Sequence, residues 1–144
     1  MFGTAFDSKD LLLLSSVRFN SRESLTRLSR STGVPVSTIF ERLKRYEHGL
    51  IRRYTALLDF SVLGFDLKVR LMLKSGRKSR EDLGIFLQNH PNVNSLERIS
   101  NGFDFTVEAL FRDMRCYQEF CDKLESFDLE DKKEYYVLDE LKKE

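Results

Sequence analysis

Ser37, Thr38, Glu41 and Arg42 fall close together in the stretch Val36 to His48, where Ile39, Leu43 and Tyr46 recur at spacings of four and three. On a helix this places the apolar residues on one stripe and the polar ones on the opposite face. Two short hydroxyls, a carboxylate and a guanidinium near a helix start can reach base edges in a major groove. Lys44, Arg45, Arg52 and Arg53 follow as cations able to neutralise phosphates. The same stretch taken alone also suits an ordinary helical hairpin with a charged outer face. Its flanks decide between the two.

Ser24 can cap a short helix that buries Leu25 and Leu28. Thr32-Gly33 ends it, because glycine takes the left-handed backbone of a helix stop without steric cost. Pro35 suits the first turn of the next helix, where its missing N–H does no harm. His48-Gly49 closes that helix. An earlier helix is expected from Asp7 or Ser8 to Arg18, with Leu11, Leu13, Leu14 and Val17 buried, followed by a turn over Phe19 to Arg22. Together these make a three-helix, winged-helix-like unit containing a helix-turn-helix. Phe40 adjoins the Val36–Leu43 stripe, which favours packing over contact with a thymine.

Charge follows the same division. The formal net charge of +1 hides ten Lys or Arg against five Asp or Glu in residues 1–53, and fourteen against eighteen in residues 54–144. A basic head on an acidic body fits contact with a polyanion by the head alone. No apolar run approaches the roughly 18–20 residues of a membrane span. Met1 to Phe6 is too short for a secretory signal, and Leu11 to Leu14 is a four-residue run between charges. Cys116 and Cys121, five apart on an expected helix, suit reduced thiols. With His48 and His90 far apart and no CxxC, neither a metal nor a cofactor is expected.

Beyond Gly49 the pattern becomes mixed. Leu50 to Phe60 reads as an extended connector or strand. Asp66 to Lys74 alternates, with Leu67, Val69, Leu71 and Leu73 on one face. Ser75-Gly76 turns the chain, and Ser79 and Asp82 resemble a capping box opening a helix to His90. Asn101-Gly102 predicts a two-residue hairpin between strands Val93–Ser100 and Phe103–Arg112. Asp113 can cap a helix to about Phe127, and Glu134 to Leu141 is expected as the last strand. The order is that of a split βαβ sheet with two helices on one face. The fold class is α+β, with a helix-turn-helix domain over residues 1–53, a connector strand or hinge over 54–65, and a ferredoxin-like βαββαβ domain over 66–144.

At this point the chain resembles the Lrp/AsnC, or feast/famine, transcription regulators over nearly its whole length. The matched residues begin with Phe6-Asp7, Asp10, Leu13-Leu14, Val17, Asn20, Arg22 and Ser24. They continue through Leu28, Gly33, Ser37, Arg42-Leu43-Lys44, Glu47 to Ile51, Tyr54-Thr55-Ala56, Asp59 and Leu63-Gly64. The resemblance implies double-stranded DNA as partner, a homodimer with further homo-oligomers, and an amino-acid effector sensed by the C-terminal domain. On this chain the effector residues would be Asn101, Gly102, Phe103 and Asp104. Three departures stand out. Val34-Pro35-Val36-Ser37 replaces the family's Ser-Pro-Ser helix entry. Glu41 replaces a common basic residue. Asn101-Gly102-Phe103-Asp104 replaces a Gly-Asp-Tyr-Asp turn, so that Gly102 removes a candidate partner for an ammonium group.

The expectation is a cytoplasmic, nucleoid-associated, sequence-selective DNA-binding regulator and not an enzyme. Ser37, Thr38, Glu41 and Arg42 are its expected base readers, and Lys44, Arg45, Arg52 and Arg53 its phosphate contacts. Arg42→Ala is expected to spare the fold. Two alternatives are an effector-independent architectural DNA-binding protein and a subunit like the siroheme decarboxylases, which resemble this family in architecture. The latter would need pocket histidines, and the expected sensing domain has only His90. Lys68, Arg70 and Lys74 are expected to face solvent or acidic residues across a dimer interface.

Overall fold

The computed structural model describes residues 6–143. Residues 1–5 and 144, which belong to the first and last expected domains, lie outside that range. The chain divides into two compact units, Met1–Leu57 and Leu58–Glu144.

The first unit holds three helices: α1 (Ser8–Phe19), α2 (Leu25–Thr32) and α3 (Val36–Glu47). Asp7 caps α1 in a reciprocal capping box with Asp10. Ser24 caps α2 by accepting from the Arg27 N–H at 3.2 Å. Gly33, at φ 68°, turns the chain out of α2 in the left-handed conformation that a side chain would strain. Pro35 is the cap residue of α3 and supplies no side-chain acceptor, one position earlier than the expected first-turn place. The core is Leu13, Leu28, Val34, Ile39 and Tyr46, with Leu14, Val17, Leu25, Leu43 and Ile51 packed against it. Leu11 was expected there but is exposed, because it lies on the side of α1 turned away from α2 and α3. Residues 51–59 form no strand.

The second unit is a four-stranded antiparallel sheet with two helices on one face. Its elements are β1 (Leu67–Ser75), α4 (Arg80–Asn89), β2 (Val93–Arg98), β3 (Phe105–Phe111), α5 (Met114–Glu125) and β4 (Leu129–Tyr136), in sheet order β2-β3-β1-β4. The β1–β3 register pairs Val69 with Ala109 and Leu71 with Val107. Their shared face, with Leu83 and Leu87 of α4 and Tyr117, Phe120 and Leu124 of α5, makes the core. Each such buried side chain contributes about 1.5–3 kcal/mol.

Four local expectations are corrected. The last strand is Leu129–Tyr136, not Glu134–Leu141. It is an edge strand whose inward positions, opposite Leu71 and Leu73, are Glu134 and Lys132, so no apolar alternation marked it. Ser79 does not cap α4 through its side chain, because its backbone is already helical at φ −97° and ψ −6°. The strands beside Asn101-Gly102 end early: Ile99 N–H donates to the Asp104 carbonyl at 3.0 Å, leaving a four-residue loop, Ser100 to Phe103. Phe103 is thereby excluded from the core, and its ring lies 5.2 Å from Lys133 Nζ.

Lys68, Arg70 and Lys74 pair within the chain, with Glu140 at 2.7 Å, Glu108 at 3.0 Å and Glu130 at 3.2 Å. Cys116 and Cys121 are free thiols. The Cys116 thiol is pushed up by its hydrogen bond to Asp113, an inert setting.

Candidate nucleic-acid interface

Helix α3 is fixed to α1 by an ionic cluster on its inner flank. Arg42 forks onto Asp7, with Nη1 2.9 Å from Oδ1 and Nη2 3.1 Å from Oδ2. Its Nη1 also donates to Asp10 Oδ1 at 2.7 Å, and Arg45 Nη2 donates to the same oxygen at 3.2 Å. The Tyr46 hydroxyl donates to Asp10 as well. The Asp10 side chain is 6% exposed and that of Arg42 21%. The Arg42 guanidinium holds the Asp7 carboxyl well below the usual carboxylate range. Burial works to raise the Asp10 carboxyl, but the Tyr46 hydroxyl, the Asp7 amide and Arg42 outweigh it, and the net shift is downward. Burial and the bond to Asp10 raise the Tyr46 phenol.

Arg42 therefore does not lie free on the outer face. Its carboxylate partners, 32 and 35 residues earlier in the chain, were unreadable from helical spacing. Arg45 is about half-exposed while paired with Asp10. Ser37 and Glu41 are exposed and Thr38 half-buried, and none makes a side-chain hydrogen bond among the described residues. Lys44 is exposed, with Nζ 4.8 Å from the Phe40 ring centroid. Arg52 and Arg53 are exposed and form no salt bridge among the described residues. Phe40, expected to pack, is 49% exposed and Val36 42%. Both lie toward the same outer face as Ser37 and Lys44, since positions four apart on a helix are neighbours.

The four effector candidates occupy the loop between β2 and β3. Asn101 and Gly102 both have positive φ, 73° and 105°. Asp104 is committed inside the unit: Ser75 N–H donates to its Oδ2 at 3.0 Å, and Arg80 Nε lies 2.8 Å from its Oδ1. A separate cavity of about 220 Å³ is lined by Phe65, His90, Arg112, Cys116, Phe120 and Lys123 among others, and by none of the four loop residues. His90 packs edge-on to Phe120 with centroids 4.8 Å apart. Burial, with Lys123 adding to it, lowers its pKa and favours neutral imidazole. No group of three or more metal-ligating side chains occurs among the described residues. None of their helices is long and apolar enough to cross a membrane.

The Lrp/AsnC ligand-binding-domain model matches residues 68–144. An uncharacterized HTH-type transcriptional regulator of Pyrococcus horikoshii is 26% identical over 139 residues, covering 96% of this chain and 94% of its own. The crystal structure of a transcriptional regulator of Neisseria meningitidis in complex with L-Met superposes with a TM-score of 0.89 at 27% identity, over 96% of this chain and 94% of that one. Escherichia coli AsnC, at 17% identity and a TM-score of 0.86 over 98% and 97% of the two chains, shares the fold. With a helix-turn-helix unit ahead of a ferredoxin-like domain that matches the family's own model, the chain belongs to the Lrp/AsnC family.

Proposed function

We propose that the protein is a sequence-selective, double-stranded-DNA-binding transcription regulator acting in the cytoplasm on the nucleoid. The observation that carries this reading is α3. Its inner face is buried and clamped by Asp10, while the side chains of Ser37, Glu41 and Lys44 stand exposed with no hydrogen bond or ion pair among the described residues. A rigid helix with an uncommitted polar face is the arrangement that major-groove readout requires. Ser37, Thr38 and Glu41 are the base readers in this proposal, and Lys44, Arg45, Arg52 and Arg53 the phosphate contacts. Arg42 becomes the anchor that orients them. A homodimer, assembled further into higher homo-oligomers, would set two such helices about one DNA turn (~34 Å) apart on a pseudo-palindrome.

The Neisseria relative was crystallised with L-Met, as was a feast or famine regulatory protein of Mycobacterium tuberculosis at 18% identity. We assign amino-acid sensing here to the loop of Asn101, Gly102 and Phe103, with Asp104 shaping that loop through Ser75 and Arg80.

The test is selection of bound fragments from a random DNA pool at two salt concentrations, with and without the twenty amino acids. An enriched pseudo-palindrome supports the regulator, and its displacement by one amino acid supports the sensor. Binding without enrichment that vanishes at the higher salt would replace this reading with the architectural one.

A further inference from the structure

We infer that Phe40, with Val36 beside it, reads thymine through its 5-methyl group. This rests on the DNA-binding reading of α3 and names the chemistry that reading lacks. Val36 and Phe40 are the exposed apolar residues of α3, 42% and 49% exposed, and neither belongs to the core of its unit. They stand four apart, with Lys44 a further four on and its ammonium 4.8 Å from the Phe40 ring centroid. The outer face thus carries two adjacent strips. One runs Val36–Phe40–Lys44, apolar and ending in a cation. The other runs Ser37–Glu41 and is polar.

A half-exposed phenyl ring on the outer face of the helix proposed to enter DNA is placed to meet an apolar group there. The charge around it says which. Residues 1–53 carry ten Lys or Arg against five Asp or Glu, and Lys44 brings a cation to the ring itself. That setting attracts a phosphate backbone. Within the major groove of such a polyanion the apolar group on offer is the thymine methyl. Ser37 and Glu41, beside the apolar strip, would take the polar edges of neighbouring bases, Glu41 accepting from a cytosine N4 amino group.

Replacing thymine by deoxyuridine removes only the methyl and keeps the base pairing and the O4 acceptor. Duplexes carrying the selected site would be made with each thymine so replaced, and affinities measured by fluorescence anisotropy at one salt concentration. For the full-length protein we expect a loss of about fourfold per half-site at one thymine position, the worth of one buried methyl-sized group. Phe40→Ala should bind thymine and uracil duplexes equally, and Phe40→Leu should keep part of the discrimination. Unchanged helical circular dichroism in Phe40→Ala, expected from its exposure, separates readout from folding. Selective binding by the wild type with equal affinity for thymine and uracil overturns the methyl reading alone, as does discrimination that survives Phe40→Ala. Absence of any selective binding overturns both this inference and the reading it rests on.

Discussion

Arg42 and Phe40 lie two residues apart on α3, and the tertiary structure reverses the roles their types suggest. Arg42 has a long, charged side chain, yet its guanidinium is held by Asp7 and Asp10 at 2.7–3.1 Å. Phe40 is aromatic, yet stands half-exposed. Arg42→Ala should therefore destabilise the helical unit by about 3 kcal/mol, since it strips a buried carboxylate of its main cation. Urea unfolding followed by helical circular dichroism measures this. Normal stability with loss of sequence-selective binding would instead return Arg42 to base readout. Asp104→Asn should keep an acceptor for the Ser75 amide and lose the Arg80 ion pair, lowering the stability of the sheet unit by about 1 kcal/mol. An unchanged unfolding midpoint for that unit would show the pairing to be idle.

At the scale of elements, the α1–α3 clamp makes the helical unit acid-sensitive. Asp7 and Asp10 are both shifted down in the folded state, by the Arg42 pairing at Asp7 and, against burial, by the Tyr46, Asp7-amide and Arg42 bonds at Asp10. Groups shifted in this direction stabilise fully above the unfolded carboxyl pKa of about 3.9, and that stabilisation is lost as pH falls through the lower folded values. Helical signal from the N-terminal unit should hold from neutral pH to about pH 4 and fall below it. In Arg42→Ala the unit should be less stable at neutral pH and lose less stability on acidification, because Asp7 then regains an ordinary carboxyl whose folded and unfolded values nearly coincide. An identical acid profile for the two proteins would argue that the clamp contributes no linkage. Glu41→Gln, on the outer face, should strengthen non-specific binding at low salt by removing a negative charge from the reading helix, and should weaken the preference for cytosine at the base pair Glu41 reads. A gain equal across all sequences, with the preference unchanged, would remove Glu41 from the base readers.

For the whole molecule, affinity should be set by phosphate contacts and selectivity by α3. Arg52→Ala and Arg53→Ala should each weaken binding uniformly across sequences. Each should lower the slope of log K against log salt by about one for every phosphate no longer neutralised. If either changed the preferred sequence while leaving the slope intact, that arginine would be reading a base. The uniform loss is expected because both residues lie exposed beyond the end of α3, with no ion pair among the described residues.

Local physics in the sequence was enough for most of the elements. The Ser24 cap, the Gly33 stop, the α3 stripe of Ile39, Leu43 and Tyr46, and the alternation of β1 each follow from neighbours within four residues, and each was legible for that reason. The edge strand β4 was not, because an edge tolerates charge on both faces and leaves no periodic apolar signal. Asn101-Gly102 reads as a two-residue turn in the sequence, but the loop spans Ser100 to Phe103, and Asp104 beside it bonds Ser75 and Arg80, partners remote along the chain. The surface of α3 divides in the same way. Helical periodicity alone fixed which residues face outward on average, but which outward side chains remain free was decided by the packing of α1 against α3. That packing commits Arg42 to Asp7 and Asp10 and leaves Phe40 to the solvent, because an ion pair between residues more than thirty apart exists only once the fold has brought them together.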